Sequence, residues 1–399
     1  MLPVIVVALA AGCGHTMSGR GEPTSVGHRP PLNCSASPCP WKPVPVPRLG
    51  VTTMLTGVAA ASRSDVWVAA SAGPGWSKPQ PGVDDSWAQL DPHVILLHWN
   101  GHSWSRSVFP RIRWMGALTM VSPSSVWGFV AETRLLHWDG NTWASVEPVK
   151  SPNAGSISDL AAVRPDELWL VGTRYTSDGS VALILRGDAT SWQRVAVPSI
   201  GKHSELHAVA VATASDAWAF GSQFQEDGKH NAETTSKTGI LIEHWDGERW
   251  AVVPQPVYRH SKRRFEFADA AMTSPDDGWA VGTQVYSGGG RLHPLVIHWD
   301  GHSWQNMHLA YCCAGATLTS VVARSPSDVW VGGAGTGSTG GSETLIEHWD
   351  GQRWHRVPTL NLSGSRIEQL TATTSSPLLA AGTGSNENGT QYALLQVQR

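Results

Sequence analysis

The sequence lacks long amphipathic helical segments and has no acidic or basic tail. Its 29 Lys and Arg against 32 Asp and Glu give a formal net charge of -3, which argues against a nucleic-acid partner. Cysteine is scarce, and its five copies show no C-x-x-C or Cys/His spacing of the zinc type, so we expect no metal and no cofactor. The abundant residues are Gly, Pro and Trp, with 41, 26 and 21 copies, a composition of many short strands and turns.

An apolar run opens the chain, too short to span a bilayer but of the length of a signal-peptide core. It ends in Ala-Ala-Gly-Cys13, which resembles the lipobox of bacterial lipoproteins, where the cysteine is lipidated. We therefore expect a signal peptide over residues 1–13, a lipid anchor on Cys13 and a flexible tether over 14–40. A plain secretory signal is the alternative, and both place the protein outside the cytoplasm.

Export permits disulfides among the other four cysteines. Pairing Cys34 with Cys39 and Cys312 with Cys313 is one of three possible connectivities, and the sequence does not distinguish them. The adjacent Cys312 and Cys313 are consistent with a vicinal disulfide beside a ligand site, with a redox switch or with a simple cap.

Two half-motifs alternate along the chain with a period typical of a propeller. In the first, a turn of the Ser-Pro-Ser-Asp type precedes a strand that contains Trp. Its copies lie at 64–67, 122–127, 165–169, 215–218, 274–279 and 325–330, with a degenerate seventh at 375–379. The second reads Leu-Ile-x-His-Trp-Asp-Gly-x-x-Trp. Its copies lie at 98–104, 137–143, 244–250, 298–304 and 348–354, with a worn copy at 186–192. The Asn-Gly or Asp-Gly pair predicts a hairpin in which both turn residues have positive φ.

The two halves together give four antiparallel strands per repeat, which is the blade of an all-β propeller. Six clear first half-motifs and one degenerate copy predict a seven-bladed β-propeller over residues 41–399. The seventh unit stops after its third strand, 392–398, whereas residues 41–45 match the outer-strand pattern of 104–108. We therefore expect the N-terminal strand to complete blade 7 and close the ring, which removes an exposed sheet edge.

This alternating pattern resembles the propeller repeats of exported bacterial lipoproteins, loosely related to the kelch and galactose-oxidase-like group. The resemblance implies the fold and says little about activity, since propellers host many unrelated functions. We interpret the repeated Trp as packing between blades, and the repeated His as partners of the Asp or Ser in the preceding turn. These histidines are His98, His137, His244, His298 and His348.

The long segments, between the second and third strands and between blades, should open on one face of the ring, and the short turns on the other. Long loops on a rigid scaffold usually carry function, so we predict a binding site on the long-loop face, made of aromatic and cationic side chains. The candidates are Trp76, Trp87, Arg111, Arg113, Trp114, Tyr258, Arg263, Arg264, Tyr286 and Tyr311.

The leading hypothesis is a monomeric, non-catalytic binding or scaffold lipoprotein of the cell envelope, with a protein or glycan ligand and a lipid anchor as its only membrane contact. A carbohydrate-active propeller enzyme, of the glycosidase or oxidase type, is the alternative. The sequence shows no local catalytic signature and contains five Tyr, so we assign no catalytic residue. Catalytic groups in propellers converge from distant blades, which keeps the alternative open.

Overall fold

The computed structural model describes residues 33–34, 39–47, 49, 53–73, 76–77, 88–89, 93–131, 133–149, 155–198, 203–225, 237–256, 263–286, 292–310, 315–337, 341–361, 364–372, 377–385 and 391–398. Within these ranges the chain forms seven four-stranded antiparallel sheets, two short two-stranded sheets and no helix. The prediction of a seven-bladed β-propeller with four strands per blade is confirmed. The described part of the chain accordingly contains no helix with the length and apolarity to cross a membrane.

Each blade runs from an innermost first strand to an outermost fourth strand, and blades 1 to 7 follow the chain. The first strands are Thr53–Ser62, Leu118–Ser122, Ser156–Arg164, His203–Thr213, Arg263–Ser274, Thr317–Ser325 and Arg366–Thr371. The second strands are Asp65–Ala72, Ser125–Ala131, Glu167–Thr176, Asp216–Gln225, Asp277–Tyr286, Asp328–Thr336 and Leu379–Ser385. The third strands are His93–Trp99, Arg134–Trp138, Gly179–Gly187, Lys237–Trp245, Leu292–Trp299, Ser342–Trp349 and Gln391–Gln398. The fourth strands are Trp104–Phe109, Trp143–Val146, Trp192–Arg194, Trp250–Val252, Trp304–Asn306, Trp354–Arg356 and, for blade 7, Trp41–Pro43.

The ring is closed, because the first strand of every blade contacts the first strands of both neighbouring blades. The predicted closure by the N-terminal strand is also confirmed, since Trp41 pairs with Gln398 and Lys42 with Val397. The Val44 N–H extends this pairing by donating to the Leu395 carbonyl at 2.8 Å. Two short pairs lie outside the blades: Asn33–Cys34 with Leu360–Asn361, and Trp76–Ser77 with Ala88–Gln89.

Indole rings fill the junctions between blades, as predicted. At the junction of blades 1 and 2, Trp67 lies 5.0 Å from Trp138 and 5.1 Å from Trp143, measured between ring centroids. The same arrangement of three indoles recurs at three other junctions, around Trp169, Trp218 and Trp279. Aromatic pairs in tilted and edge-on geometry stabilise a core beyond the apolar area they bury.

The repeated histidines form hydrogen bonds with the Asp or Ser at the preceding turn, as predicted. Each imidazole stacks on the Trp of its own second strand, with centroids 4.0 to 4.2 Å apart. The contacts are His98 Nε2 to Asp65 Oδ1 (2.8 Å), His137 Nε2 to Ser125 Oγ (3.1 Å), His244 Nε2 to Asp216 Oδ2 (3.0 Å), His298 Nε2 to Asp277 Oδ1 (2.8 Å) and His348 Nε2 to Asp328 Oδ1 (3.0 Å). Because each copy is bonded within its own blade, these histidines have a structural role.

The Asp-Gly turns differ from the prediction in one respect. Among the described residues, positive φ occurs only at glycine, so the expectation that both turn residues have positive φ is wrong. The turn is longer, with Trp349 paired to Trp354, and Asp350 Oδ1 accepts the N–H groups of Gln352 and Arg353 at 2.9 Å each. The Asp350 side chain therefore accepts the N–H groups of the turn while its own backbone keeps a negative φ. In this turn only Gly351, with φ of +91°, adopts the left-handed region.

Side chains at the inner wall link each blade to the next. The first strands of blades 1 and 3 to 7 carry a β-bulge at one shared position. In blades 3, 5 and 7 the residue after the bulge is an acceptor for a backbone N–H of the following blade. The bonds are Val209 N to Asp159 Oδ2 (2.8 Å), Val321 N to Asp269 Oδ2 (2.9 Å) and Val58 N to Gln369 Oε1 (2.9 Å).

Candidate functional site

The link from blade 1 to blade 2 brings three predicted residues together on the long-loop face. Arg111, Arg113 and Trp114 are all exposed, and 53% of the Trp114 surface is accessible. The Trp114 ring lies over the backbone of Gly116, where a Cβ atom would come within 2.9 Å of Trp114 Cη2. Glycine at 116 thus lets the indole lie flat beside the start of the blade 2 first strand. An exposed indole with two exposed arginines just before it in the chain is typical of a recognition surface.

Three other candidates lie on blade 5. Arg263 pairs with Tyr286 in the backbone register of the first and second strands, so these two predicted residues are cross-strand neighbours. The exposed Arg264 forms an ion pair with Glu266, with 3.2 Å between Nη2 and Oε1. Blade 5 therefore presents a carboxylate beside the predicted cation Arg264.

The remaining predicted residues are only partly described. Trp76 belongs to the short strand Trp76–Ser77, whereas Trp87, Tyr258, Tyr311, Cys13, Cys312 and Cys313 lie outside the described residues. Cys34 lies in the short strand Asn33–Cys34, and Cys39 is disulfide-bonded. The pairing of Cys34 with Cys39 stays a prediction.

Charged residues of the inner wall were missed in the sequence analysis. The antiparallel blades make all first strands run in one direction, so residues near their starts lie at the end of the central channel that the interblade links surround. Glu205 and His207 of blade 4 lie there, 3.6 Å apart between Oε2 and Nε2, and Arg366 and Glu368 of blade 7 form an ion pair. The hydrogen bond to His207 lowers the pKa of Glu205, although partial burial opposes this. These residues could have been found in the sequence, because they occupy alternate positions of the predicted innermost strands.

Two carboxylates lie farther along the inner wall. Burial raises the pKa of Asp269 to about 6, although Val321, Ser320 and Ala270 donate hydrogen bonds to it. Burial also raises the pKa of Asp159 well above its usual range, and the negative charge of Asp269 adds to this effect. Because their oxygens accept backbone N–H groups, we assign these carboxylates to the ring itself. The described residues contain no group of three His, Cys, Asp or Glu side chains arranged to hold a metal.

The fold and this face define a β-propeller that carries an exposed aromatic and charged groups around one end of its central channel. No protein-family model and no curated protein matches the chain. Solved structures do match it. YCF48 bound to D1 peptide is 14% identical, with a TM-score of 0.53 over 90% of this chain and 95% of that one.

Two further solved structures of similar fold are a lyase and a WD40 propeller domain. Virginiamycin B lyase from Staphylococcus aureus with quinupristin is 10% identical, with a TM-score of 0.53 over 90% of this chain and 99% of the other. The WD40 propeller domain of Doa1 is 9% identical, with a TM-score of 0.50 over 90% and 97%. At these identities the similarity shows the fold alone, and the fold accommodates both lyases and propellers without catalysis.

Proposed function

We propose that the protein is a non-catalytic binding or scaffold lipoprotein of the cell envelope, which binds a protein or glycan ligand on its long-loop face. The lipid anchor on Cys13 would hold the propeller at a membrane and leave this face free. The single observation that carries the proposal is the exposed Trp114, which directly follows the exposed Arg111 and Arg113 in one interblade link of the closed ring.

The geometry supports binding for two reasons. An indole has a large apolar area and few rotatable bonds, so ordering it at an interface costs little entropy, and neighbouring arginines supply directional hydrogen bonds. The histidines and the two inner-wall aspartates are bonded to neighbouring groups of the ring, which leaves them unsuited to a substrate. A protein ligand is our first choice, because YCF48, a protein of similar fold, has been solved with a bound peptide.

The experiment is capture of ligands from envelope extract on the full-length protein, with a glycan array in parallel. The test variant is Trp114→Ala, and the matched control is Val252→Ala, which trims an exposed apolar side chain on the outer strand of blade 4. We expect one ligand class to be retained by the wild type and the control, and lost by Trp114→Ala. Equal retention by all three proteins would contradict the proposal.

A second candidate, an enzyme acting on carbohydrate, is favoured by one observation. The channel end holds the Glu205–His207 pair, a base with a carboxylate partner, and the positive charge of Arg264 on blade 5 also acts on Glu205. Lyases occur among the structural neighbours. Turnover of a polysaccharide that disappears in His207→Ala, with unchanged folding, would put this candidate first.

A further inference from the structure

The junction between blades 7 and 1 lacks the central ring of the repeated indole cluster. The second strand of each of blades 1 to 6 carries a Trp, which pairs with the next-to-last residue of the third strand. In blade 7 that register position belongs to Leu379, which pairs with Thr371 and Val397. Blade 7 has thus replaced the stacked Trp and His by two aliphatic side chains.

The two outer rings of the cluster are nevertheless in place. Trp99 and Trp104 of blade 1 lie 5.5 Å apart at 48°. The corresponding pairs at the complete junctions lie 5.7 to 6.0 Å apart at 38 to 50°. Trp104 is partly exposed, as is its equivalent Trp143 of blade 2, whereas the equivalents Trp250, Trp304 and Trp354 are buried. Blade 1 therefore keeps the geometry that elsewhere receives a third indole.

A cleft of about 790 Å³ occupies this junction, within the range of roughly 300–1,000 Å³ that small-ligand clefts occupy. Its walls are Trp99, Trp104, Leu379, Val397 and other apolar side chains. Two cations, Lys42 and Arg63, also line it, both exposed. The described residues of the lining include no carboxylate, and neither cation forms an ion pair with a described residue. The cleft therefore offers apolar walls with space for an aromatic ring, and it has positive charges at its rim.

We propose that this cleft binds an aromatic side chain of a partner polypeptide that has carboxylates next to it. The ring takes the place of the missing Trp between Trp99 and Trp104, in the tilted and edge-on contacts of the complete junctions. The neighbouring carboxylates meet Lys42 and Arg63 at the rim. This site lies on the side of the short turns, so it is separate from the long-loop face.

The nearby chain is poorly suited to fill the cleft itself. Trp41 is the first aromatic residue of the sequence, so the segment that precedes it contains no Phe, Trp or Tyr. Trp41 is in turn buried against Trp330 at the preceding junction, at a centroid distance of 6.5 Å. The lack of an aromatic residue in this segment favours an occupant from a partner polypeptide.

The test uses the full-length protein and the peptide acetyl-Glu-Glu-Trp-Glu-Glu-amide, with fluorine on its indole so that 19F NMR distinguishes it from the 21 Trp of the protein. We expect the peptide to bind, and unlabelled peptides with Leu for Trp or Lys for Glu to compete at least about fivefold less well. The variant Leu379→Trp supplies the indole that the second strands of blades 1 to 6 carry, and this ring should occupy the cleft. We expect this variant to stay folded and to weaken binding at least about tenfold.

Charge reversal gives an independent readout that does not depend on core packing. Lys42→Glu with Arg63→Glu should invert the preference, so that the Lys peptide binds better than the Glu peptide. Arg249→Glu, which changes an exposed arginine in the blade 4 turn, should leave both affinities unchanged. Undetectable binding to the wild type, or wild-type affinity in a folded Leu379→Trp protein, would overturn the proposal.

Discussion

In blade 6, Nε2 of His348 lies 3.0 Å from Oδ1 of Asp328, so the imidazole joins the third strand to the start of the second. The same Oδ1 accepts the Trp330 indole N–H at 2.6 Å, and Oδ2 accepts the Arg324 Nε–H at 2.8 Å. One carboxylate thus fixes the ring that packs against blade 7. Burial alone would raise the pKa of Asp328, but the hydrogen bonds from Trp330 and Arg324, the charge of Arg324 and the bond to His348 together lower it.

Removing this carboxylate should destabilise the protein. We expect Asp328→Ala to lower the free energy of unfolding by about 1–3 kcal/mol at neutral pH, because three donors lose their acceptor. A lowered pKa stabilises the fold above the unfolded value near ~3.9, and this contribution is lost as the pH falls through the folded value. Urea denaturation at neutral and at acid pH measures both effects. The exposed Asp178→Ala is the control, and an equal loss in both variants would refute this role.

Glu243 of blade 4 is fully buried, and neither of its carboxylate oxygens has a hydrogen-bond partner among the described residues. The equivalent Glu347 of blade 6 accepts the Ala310 N–H at 2.8 Å. Ala310 follows Trp304 by six residues, and the residue six after Trp192 is Pro198, which has no N–H to donate. Burial accordingly raises the pKa of Glu243 to about 7.

This geometry predicts that Glu243→Leu stabilises the protein in a pH-dependent way. Between the unfolded pKa near ~4.3 and the folded value, only the folded state holds the proton, so wild-type stability falls as the pH rises. We expect Glu243→Leu to gain roughly 2–3 kcal/mol at mildly alkaline pH and progressively less toward pH ~5. Glu347→Leu is the matched control, because it removes a satisfied hydrogen bond. A gain of equal size in both variants, or one that does not change with pH, would count against this explanation.

Removing one carboxylate from the inner wall should weaken hydrogen bonds that link three blades. Asp269 Oδ2 accepts the Ser320 Oγ–H at 2.8 Å, and Ser320 Oγ accepts the Leu370 N–H at 3.2 Å. Asp269→Ala leaves a buried N–H of Val321 without an acceptor, which costs about 1–3 kcal/mol. Hydrogen exchange should accelerate at Val321 and Leu370 in blades 6 and 7, and remain unchanged in blade 2. Acceleration confined to blade 5 would disprove the linkage.

Ring closure predicts that Trp41 contributes strongly to stability. Trp41 is 1% exposed and packs edge-on against Trp330, although the strand Trp41–Pro43 pairs through only three residues. We expect Trp41→Ala to cost about 3–5 kcal/mol. Trp114→Ala, which removes an exposed indole, should stay within about 0.5 kcal/mol of the wild type. Thermal and urea unfolding of the two variants decide between a closing strand and a dispensable one.

The blades could be predicted from the sequence because their signals are local. Each turn and each Trp recurs at a fixed spacing, and the match of Trp41 to Trp104 and Trp354 revealed the closure of the ring. The turn backbone was predicted wrongly, because the Asp350 side chain caps the turn and removes the need for a second positive φ. The side-chain contacts between blades could not be predicted, because they join residues that lie far apart in the sequence.

The cleft illustrates the same limit. It exists because Leu379 of one blade faces Trp99 and Trp104 of the next, and these residues are far apart in the sequence. The degenerate seventh copy was visible in the sequence, but its meaning required the ring to be closed. The charged pairs at the channel end, such as Glu205 with His207, likewise acquire a common location only in the assembled propeller.

Site-specific photocrosslinking tests most directly the proposal that the long-loop face binds a partner at the cell envelope. A photoreactive phenylalanine analogue in place of Arg111 samples that face, and the same analogue in place of Arg249 samples the short turns of blade 4, away from the cleft. In native envelope extract we predict a discrete crosslinked species from position 111 that Trp114→Ala abolishes, and none from position 249. Crosslinking from position 249 alone, or none from position 111, would contradict the proposal.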